Sequence, residues 1–388
     1  MTGVLERLGV TPVINACGPV TRLGGGLMDP EVAAAMVEAS RLCCDMLDLQ
    51  AAACRVIKRV TGAEAGIVTA GASAAVLLGA AACLAGLDPG RMNRLPDIRE
   101  GRREIIVIRS QRNMYDRALV VAGAKLVEVG IPDRYSGPGV RDADVWEIED
   151  AIGPETAAIY YLAQPQSRPA LVALTEVANR RGVPVLVDAA AQLPPAENLR
   201  AFLAQGADLV AFSGGKAIGG PQASGILCGR ADLVSSALLQ MLDLDVHPEA
   251  WRPPPEFAAM GQMRGLPHHG IGRSCKAGKE EIVGLLTALE RFAEDRGERR
   301  EGWSAVLRGI MAAAGPVHGL ELRDGPVPLL RWETADAARI AASLRDGSPS
   351  IHCRLEADGL VFSPVALAPE HAAMIGRRVR EVSAAPGP

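Results

Sequence analysis

Apolar residues occur in short continuous runs through the middle of the chain, and stretches with a helical pattern separate them. These runs, rich in β-branched residues, lie at 103–110, 124–130, 157–163, 183–190, 207–214 and 225–230. A continuous apolar run, in contrast to an alternating one, is typical of a strand that is covered on both faces. The pattern predicts an α/β fold with a mostly parallel, doubly wound sheet, whose ligands bind at the carboxyl ends of the strands.

The pattern changes after Arg230, where a proline cluster at 247–257 marks a boundary or a long functional loop. A strongly helical stretch follows, and short strands are predicted near 327–334 and 352–364. We expect an N-terminal arm at 1–45, a large α/β domain at 46–248, and a linker helix with a small C-terminal α+β domain at 249–388, and the change of pattern after Arg230 supports the second boundary.

The segment 65–86 is uncharged and long enough to cross a bilayer. It is rich in Gly and Ala, it lacks aromatic flanks, and no second segment of its kind accompanies it. We therefore expect a short strand followed by a buried helix, and no membrane partner. The N-terminus shows no basic stretch leading into an apolar one, so we expect a cytoplasmic protein.

Composition excludes some classes of function. The chain of 388 residues has 41 Lys and Arg against 45 Asp and Glu, a formal net charge of −4, so no overall basic field attracts nucleic acid. The eight cysteines form no C-x-x-C pair, and we expect reduced thiols. Side chains of the adjacent His268 and His269 point apart, and no third ligand stands at a recognisable spacing, so no metal site is predicted.

Asp188 directly follows a buried apolar run. A buried carboxylate is costly unless it is paired with a cation or a donor. The protonated ring nitrogen of pyridoxal phosphate is one such partner. The alternative is an aspartate that caps a helix or anchors a loop.

Lys216 closes the next run within the segment "FSGGKAIGG". An amine in a partly desolvated pocket has a lowered pKa and can form a Schiff base with an aldehyde. Ser213 precedes it by three residues, where its hydroxyl can reach a phosphate oxygen. The alternative is a flexible glycine loop that carries a solvated lysine.

The stretch "TAGASAA", 69–75, is a turn of small residues between a predicted strand and a predicted helix. Free backbone N–H groups at a helix N-terminus bind phosphate, and Gly71, Ala72 and Ser73 suit that role. A tight turn packed against the sheet is the alternative.

The order of these features, a phosphate turn, then an aspartate, then Ser-x-x-Lys, resembles fold-type I pyridoxal-phosphate enzymes. With "VINACGPVTRLGG", "VLVDAAAQLPP" and "GIGRSCKAGKEEIVGLL", the chain resembles the selenocysteine synthase-like branch of that group, and within it the D-glucosaminate-6-phosphate ammonia-lyase type. The resemblance covers about residues 1–290.

The resemblance implies a role for each residue at these strand ends. Lys216 forms the Schiff base with pyridoxal phosphate, Asp188 pairs with its ring nitrogen, and an amide, Gln164 or Gln166, lies near its phenolic oxygen. The implied phosphate ligands are Gly71, Ala72, Ser73 and Ser213. Relatives often cover the ring with a histidine from the loop that here reads "SQRNMYD", where this chain has Gln111 and Arg112.

Cationic side chains are the candidates for binding substrate. The resemblance implies this role for Arg273, Lys276 and Lys279, which match a basic motif of the family, and the planar guanidinium of Arg354 matches the geometry of a carboxylate. The further candidates are Arg22, Arg112 and His269, and the alternative for these cations is a solvated face or a helix end.

The resemblance implies an enzyme that acts at Cα of a small amino-acid substrate and assembles as a homodimer or larger oligomer. We expect α,β-elimination from a hydroxylated amino acid, such as a sugar-derived amino acid phosphate. The alternatives are a racemase or epimerase, β-replacement including selenium transfer to an aminoacyl-tRNA, and a ligand-binding descendant without catalysis.

Overall fold

The computed structural model describes residues 3–131 and 142–384. The chain forms two compact units, one from Pro30–Ala293 and the other from Met1–Asp29 with Glu294–Pro388. We call them the large unit and the small unit. The domain boundaries predicted at 45 and 248 stay a prediction.

The strands, in chain order, are β1 (Ile14–Ala16), β2 (Ala65–Thr69), β3 (Glu104–Ile108), β4 (Lys125–Val129), β5 (Thr156–Leu162), β6 (Val185–Asp188), β7 (Leu209–Ser213), β8 (Gly225–Gly229), β9 (Leu320–Arg323), β10 (Leu329–Glu333), β11 (Ile351–Glu356) and β12 (Gly359–Phe362).

The α-helices are α1 (Val4–Arg7), α2 (Pro30–Ser40), α3 (Met46–Thr61), α4 (Ala72–Ala85), α5 (Pro89–Arg94), α6 (Arg117–Val121), α7 (Val145–Ala151), α8 (Leu171–Arg181), α9 (Asn198–Ala204), α10 (Ala231–Met241), α11 (Lys279–Glu294), α12 (Glu298–Ala314), α13 (Ala337–Arg345) and α14 (His371–Ala384). Short 3-10 helices lie at Thr21–Leu23, Arg109–Gln111, Met114–Asp116, Pro248–Ala250, Pro255–Gln262 and Ile271–Cys275, and a π-helical turn lies at Gly214–Ile218.

The large unit contains a seven-stranded sheet in the order β2-β8-β7-β6-β5-β3-β4. Its neighbouring strands are parallel except for β8, which runs antiparallel to both β2 and β7. The predicted α/β fold with a mostly parallel sheet is therefore confirmed. Because only β8 is reversed, β2, β3, β5, β6 and β7 all end at one edge of the sheet.

Helices cover both faces of this sheet, which explains the continuous apolar runs. Leu186 of β6 packs in the cluster that contains α4 and α10, whereas its neighbour Val187 packs in the cluster with α8 and α11. Successive side chains of a strand point to opposite faces, so both faces demand apolar residues.

The apolar segment 65–86 folds as β2 and α4 inside the large unit. Its small residues permit close packing, since a Cβ added at Gly79 would lie 2.9 Å from Cδ1 of Leu186. In the part of the chain that the structure describes, no helix is both long and apolar enough to cross a membrane.

The small unit contains a five-stranded sheet in the order β1-β11-β12-β10-β9. The strands predicted near 327–334 and 352–364 are β10, β11 and β12. The N-terminal strand β1 joins them by parallel pairing with β11, where Ile14 stands opposite Ile351. Leu307 of α12 and Val379 of α14 are fully buried in the core of this unit.

Candidate active site

Strand register gathers the predicted residues of the large unit at one edge of its sheet. Gly225, the first residue of β8, stands opposite both Thr69 at the end of β2 and Ser213 at the end of β7. Asp188 ends β6 and stands opposite Ala211 of β7. The turn after β2, the aspartate and the lysine segment, far apart in sequence, therefore share the carboxyl edge.

The turn that begins α4 presents a helix N-terminus without a side-chain cap. Gly71 has φ +122°, which favours glycine, and the Thr69 hydroxyl donates to the Gly71 carbonyl at 2.9 Å. A Cβ added at Gly225 would lie 2.3 Å from the carbonyl carbon of Gly71, so β8 touches the backbone of the turn. Ala72 is half-buried and Ser73 is exposed. An anion can bind at this position, because the first backbone N–H groups of a helix have no hydrogen-bond partner within the helix.

The glycines around Lys216 let its backbone pack tightly. A Cβ at Gly214 would lie 2.2 Å from the Ser224 hydroxyl, and one at Gly215 would lie 2.6 Å from Cα of Gln222. Lys216 itself has φ −107° and ψ −123°, outside helical values, within the turn Gly214–Ile218. The glycines therefore allow the backbone to bend and pack closely at the edge of the sheet, where it carries the Lys216 side chain.

The Lys216 amine forms no hydrogen bond or ion pair with any residue that the structure describes. Burial lowers the pKa of this amine, and the negative charge of Asp188 partly opposes that shift. A lowered pKa leaves more of the amine neutral, and the neutral amine is the nucleophile in Schiff-base formation.

The Asp188 side chain is fixed by two donors although only 6% of the residue is exposed. The backbone N–H of Ala190 donates to Oδ1 at 3.0 Å, and the Tyr160 hydroxyl donates to Oδ2 at 3.0 Å. Burial raises the pKa of Asp188, while both hydrogen bonds and the charge of Lys216 act to lower it. A cation near this carboxylate would offset the cost of its burial.

Tyr160 is absent from the residues that sequence reasoning selected. It lies in the run "AAIYYLA", where a tyrosine is a usual occupant of a buried strand. A signal was present, because a buried tyrosine hydroxyl needs a hydrogen-bond partner. Only the pairing of β5 with β6 identifies that partner as Asp188.

The start of α4, Asp188 and Lys216 together fit pyridoxal phosphate, which carries a phosphate, a protonatable ring nitrogen and an aldehyde. The uncapped start of α4 matches the phosphate, buried Asp188 matches the ring nitrogen, and the unbonded amine of Lys216 matches the aldehyde. Ser213 is half-buried at the end of β7, on the same edge.

The three glutamines considered for contacts with the cofactor differ in burial. Gln164 and Gln166 are exposed, and Nε2 of Gln166 donates to Oε1 of Gln164 at 2.6 Å. Gln111 is only 4% exposed and links two segments, since Leu162 N donates to its Oε1 at 2.9 Å and its Nε2 donates to the Arg168 carbonyl at 3.1 Å. Gln111 therefore ties the loop after β3 to the end of β5.

The Arg112 guanidinium forms ion pairs with Asp116 and Glu128. The side chains of Gln111 and Arg112 are both held by other residues of the protein, so neither is free to cover the ring as the histidine of some relatives does. The residue that covers the ring stays without an assignment, and the substrate role of Arg112 stays a prediction.

A basic segment, defined here as residues 269–276, runs beside the phosphate turn. The Cys275 carbonyl accepts from the N–H of Ala70 at 3.0 Å. Two side chains of the segment lie near the carboxylate of Asp243, which is outside the segment. Nη2 of Arg273 is 3.3 Å from Oδ2 of Asp243, and Nε2 of His269 is 3.6 Å from Oδ1. Lys276 is exposed. Lys279, just beyond the segment, pairs with Glu280.

Arg22 and Arg354 both lie in the small unit, near the Cys17 thiol. Nη2 of Arg22 is 3.7 Å from Cys17 Sγ. Burial raises the pKa of Cys17, and the charges of Arg22 and Arg354 act to lower it. The structure thus brings together two arginines separated by most of the sequence. Among the residues that the structure describes, no cluster of His, Cys, Asp and Glu is suited to hold a metal ion.

Comparison with known proteins agrees with this geometry. The family model for SelA, L-seryl-tRNA selenium transferase, matches residues 13–244. The chain belongs to the SelA family. It is 31% identical to a 5'-C-glycyluridine monooxygenase-decarboxylase from Streptomyces, covering 97% of this chain and 91% of that protein.

The D-glucosaminate-6-phosphate ammonia lyase of Salmonella typhimurium is 28% identical and covers 98% of each chain. The solved structure of a D-glucosaminate-6-phosphate ammonia-lyase superimposes with a TM-score of 0.80, covering 99% of this chain and 98% of that one. An alanine–glyoxylate aminotransferase from Nostoc, 14% identical with a TM-score of 0.56 over 98% of this chain and 97% of that one, shares the fold alone. The predicted family and the fold-type I architecture are confirmed.

Proposed function

We propose that the protein is a pyridoxal-phosphate-dependent lyase that acts at Cα of a hydroxylated, sugar-derived amino acid and releases ammonia by α,β-elimination. One observation carries the proposal: the buried Asp188 and the Lys216 amine stand at the same sheet edge as the uncapped N-terminus of α4. Perturbed titratable groups gathered in this way are typical of active sites.

Three groups of residues would hold the cofactor. The backbone at Gly71, Ala72 and Ser73, with the Ser213 hydroxyl, would bind the phosphate. The Asp188 carboxylate would bind the ring nitrogen, and the Lys216 amine would hold the aldehyde carbon. When bound, the cofactor supplies an electron sink that stabilises negative charge at Cα.

Once the amine of the substrate has replaced it at the aldehyde carbon, the Lys216 amine would also be the base that takes the proton from Cα. Burial lowers its pKa, so the amine is neutral more often than an exposed lysine and accepts a proton at Nζ. The loss of a hydroxide from Cβ requires a proton at that oxygen, and the lysine, once protonated, carries one. Reprotonation and hydrolysis of the product would then give a keto acid and ammonia.

The relatives support the substrate class. One acts on D-glucosaminate-6-phosphate and the other on 5'-C-glycyluridine, and both names describe an amino acid that is part of a sugar or attached to one. The basic segment contacts the phosphate turn through the Cys275 carbonyl, and this supports the proposal that His269, Arg273 and Lys276 receive an anionic substrate. Arg22 and Arg354 stay predicted carboxylate ligands. We expect a cytoplasmic homodimer or larger assembly.

The cofactor is tested by the visible absorption spectrum of the purified protein, before and after borohydride. We expect a band that borohydride bleaches, and its loss in Lys216→Ala. Lys58→Ala, on the exposed face of α3, is the control and keeps the band. The absence of a band after added pyridoxal phosphate would overturn the cofactor assignment.

The reaction is tested by supplying D-glucosaminate 6-phosphate and related hydroxy-amino acids, and measuring ammonia and keto acid. Production of both supports elimination. The decarboxylase among the relatives makes oxygen uptake and release of carbon dioxide the second pair of quantities to record. Either that pair or stereoinversion, in place of ammonia, would overturn the lyase assignment while leaving the cofactor assignment intact.

A further inference from the structure

Tyr160 is a buried polar residue that the proposed chemistry does not yet use. It lies on β5, only 2% of it is exposed, and its hydroxyl is 3.0 Å from Oδ2 of Asp188. Burial and the charge of Asp188 both raise the pKa of Tyr160, so the phenol keeps its proton. The Tyr160 hydroxyl is therefore available as a hydrogen-bond donor to Asp188.

The hydrogen bond between Tyr160 and Asp188 has one direction, because an ionised carboxylate oxygen can only accept and the phenol is the donor. The nearby Asn113 side chain is engaged elsewhere: its Oδ1 accepts from the backbone N–H of Tyr115 at 2.7 Å, and its Nδ2 donates to the Gln111 carbonyl at 3.4 Å.

Both oxygens of Asp188 then act as acceptors. Oδ1 receives the N–H of Ala190 and Oδ2 receives the hydroxyl of Tyr160. Donors at both oxygens favour the carboxylate over the protonated acid, and so they oppose the rise in the pKa of Asp188 that burial causes. The two bonds also define the plane of the group, as needed for a hydrogen bond to a ring nitrogen.

We propose that Tyr160 is a positioning residue, whose hydroxyl holds the Asp188 carboxylate charged and correctly oriented for the ring nitrogen of pyridoxal phosphate. This inference rests on the proposed function. Tyr160 acts through Asp188 and is not assigned a contact with substrate or cofactor.

The chain contains a matched control in the next residue. Tyr161 is also buried, with 5% exposed, and its hydroxyl also donates a hydrogen bond, but to the Pro169 carbonyl at 3.1 Å. It lies on the same strand and faces the opposite side of the sheet. Tyr161→Phe therefore removes the same atom and one hydrogen bond without affecting Asp188.

The experiment compares native protein, Tyr160→Phe and Tyr161→Phe as purified full-length chains freed of cofactor. Each is titrated with pyridoxal phosphate between about pH 5 and 9, and affinity is read from the visible band and tryptophan fluorescence. We expect Tyr160→Phe to weaken the affinity about tenfold, because it removes a hydrogen bond to a charged group, and Tyr161→Phe to stay within about twofold of native.

The pH profile separates positioning from a general structural effect. Loss of a donor to the charged form raises the pKa of a carboxyl, so the acid limb of affinity should move to higher pH in Tyr160→Phe alone, by about one unit. The titratable groups that act on Asp188 are Lys216 and Tyr160, and Asp116 acts on Tyr160. These groups are the same in both variants except for the tyrosine removed.

Thermal melting shows whether each variant folds. If Tyr160→Phe does not fold, Tyr160→Met takes its place, because a flexible apolar side chain fills the buried position without a donor, and it should shift the acid limb in the same direction. The role of Tyr160 would be overturned if the native protein shows the visible band but the folded variant loses affinity at the same acid pH as the native protein. That outcome would leave the proposed function intact. A native protein without the band would instead overturn the proposed function itself.

Discussion

The carboxyl edge of the large sheet and the basic segment beside it are built in contrasting ways. At the edge, Asp188 and Lys216 emerge from strands whose register sets their positions, and burial perturbs the pKa of both. In the basic segment, His269 and Lys276 are exposed and Arg273 is half-buried. Under the proposed function, reaction chemistry would depend on buried groups whose positions the strands set, and substrate selection on exposed side chains that can change without disturbing the core.

Replacing Asp188 should have the largest effect. Asp188→Asn keeps the shape of the side chain but cannot ionise, so it cannot stabilise a protonated ring nitrogen. We expect ammonia release to fall by at least about a hundredfold while the borohydride-sensitive band persists through Lys216. Asp97→Asn, at an exposed surface pair, should leave the rate unchanged. A rate near native for Asp188→Asn would contradict the assignment.

A backbone change should disturb the buried edge without removing any functional group. Gly225→Ala places a Cβ 2.3 Å from the carbonyl carbon of Gly71 and 2.6 Å from the N of Ala72, so the phosphate turn must move. We expect cofactor affinity to fall about tenfold or more and the free energy of unfolding to fall by about 1–3 kcal/mol. Gly153→Ala is the control, because a Cβ there meets no atom within 4 Å. Equal affinities in the two variants would show that the turn does not bind phosphate.

A change in the basic segment should affect the substrate rather than the cofactor. Lys276→Ala should raise KM about tenfold with kcat and the visible band little altered, because it removes a charge that binds ground state and transition state alike. Lys125→Ala, at the exposed surface of β4, is the control in the same steady-state assay. A loss of the band in Lys276→Ala would instead make the segment part of the cofactor site.

The smallest expected effect is a gain of stability. Burial lowers the pKa of Lys216, so the folded cofactor-free protein binds fewer protons there than the unfolded chain. Stability therefore rises with pH between that lowered pKa and the ordinary value of 10.5. Lys216→Met should raise the melting temperature of the cofactor-free protein by a few degrees at neutral pH, by an amount that shrinks as pH approaches 10.5. A difference independent of pH would contradict this account.

Much of the large unit could be predicted from local pattern. The six apolar runs correspond to β3–β8, because a strand buried on both faces needs apolar residues throughout. The parallel pairing of β1 with β11 could not be predicted, since β1 has only three residues and its partner lies more than 300 positions away. The hydrogen bond between Tyr160 and Asp188 was missed for a similar reason, since it depends on which strands are neighbours.

Sequence alone determined the fold class, the family, and the types of chemical group that the chain can offer at its strand ends. These follow from local pattern, because periodicity and residue type act over a few positions. Tertiary structure decided which groups meet: Tyr160 with Asp188, Gln111 with Leu162, and Arg22 with Cys17. Such contacts depend on strand order and burial, and these are set by the packing of the whole chain.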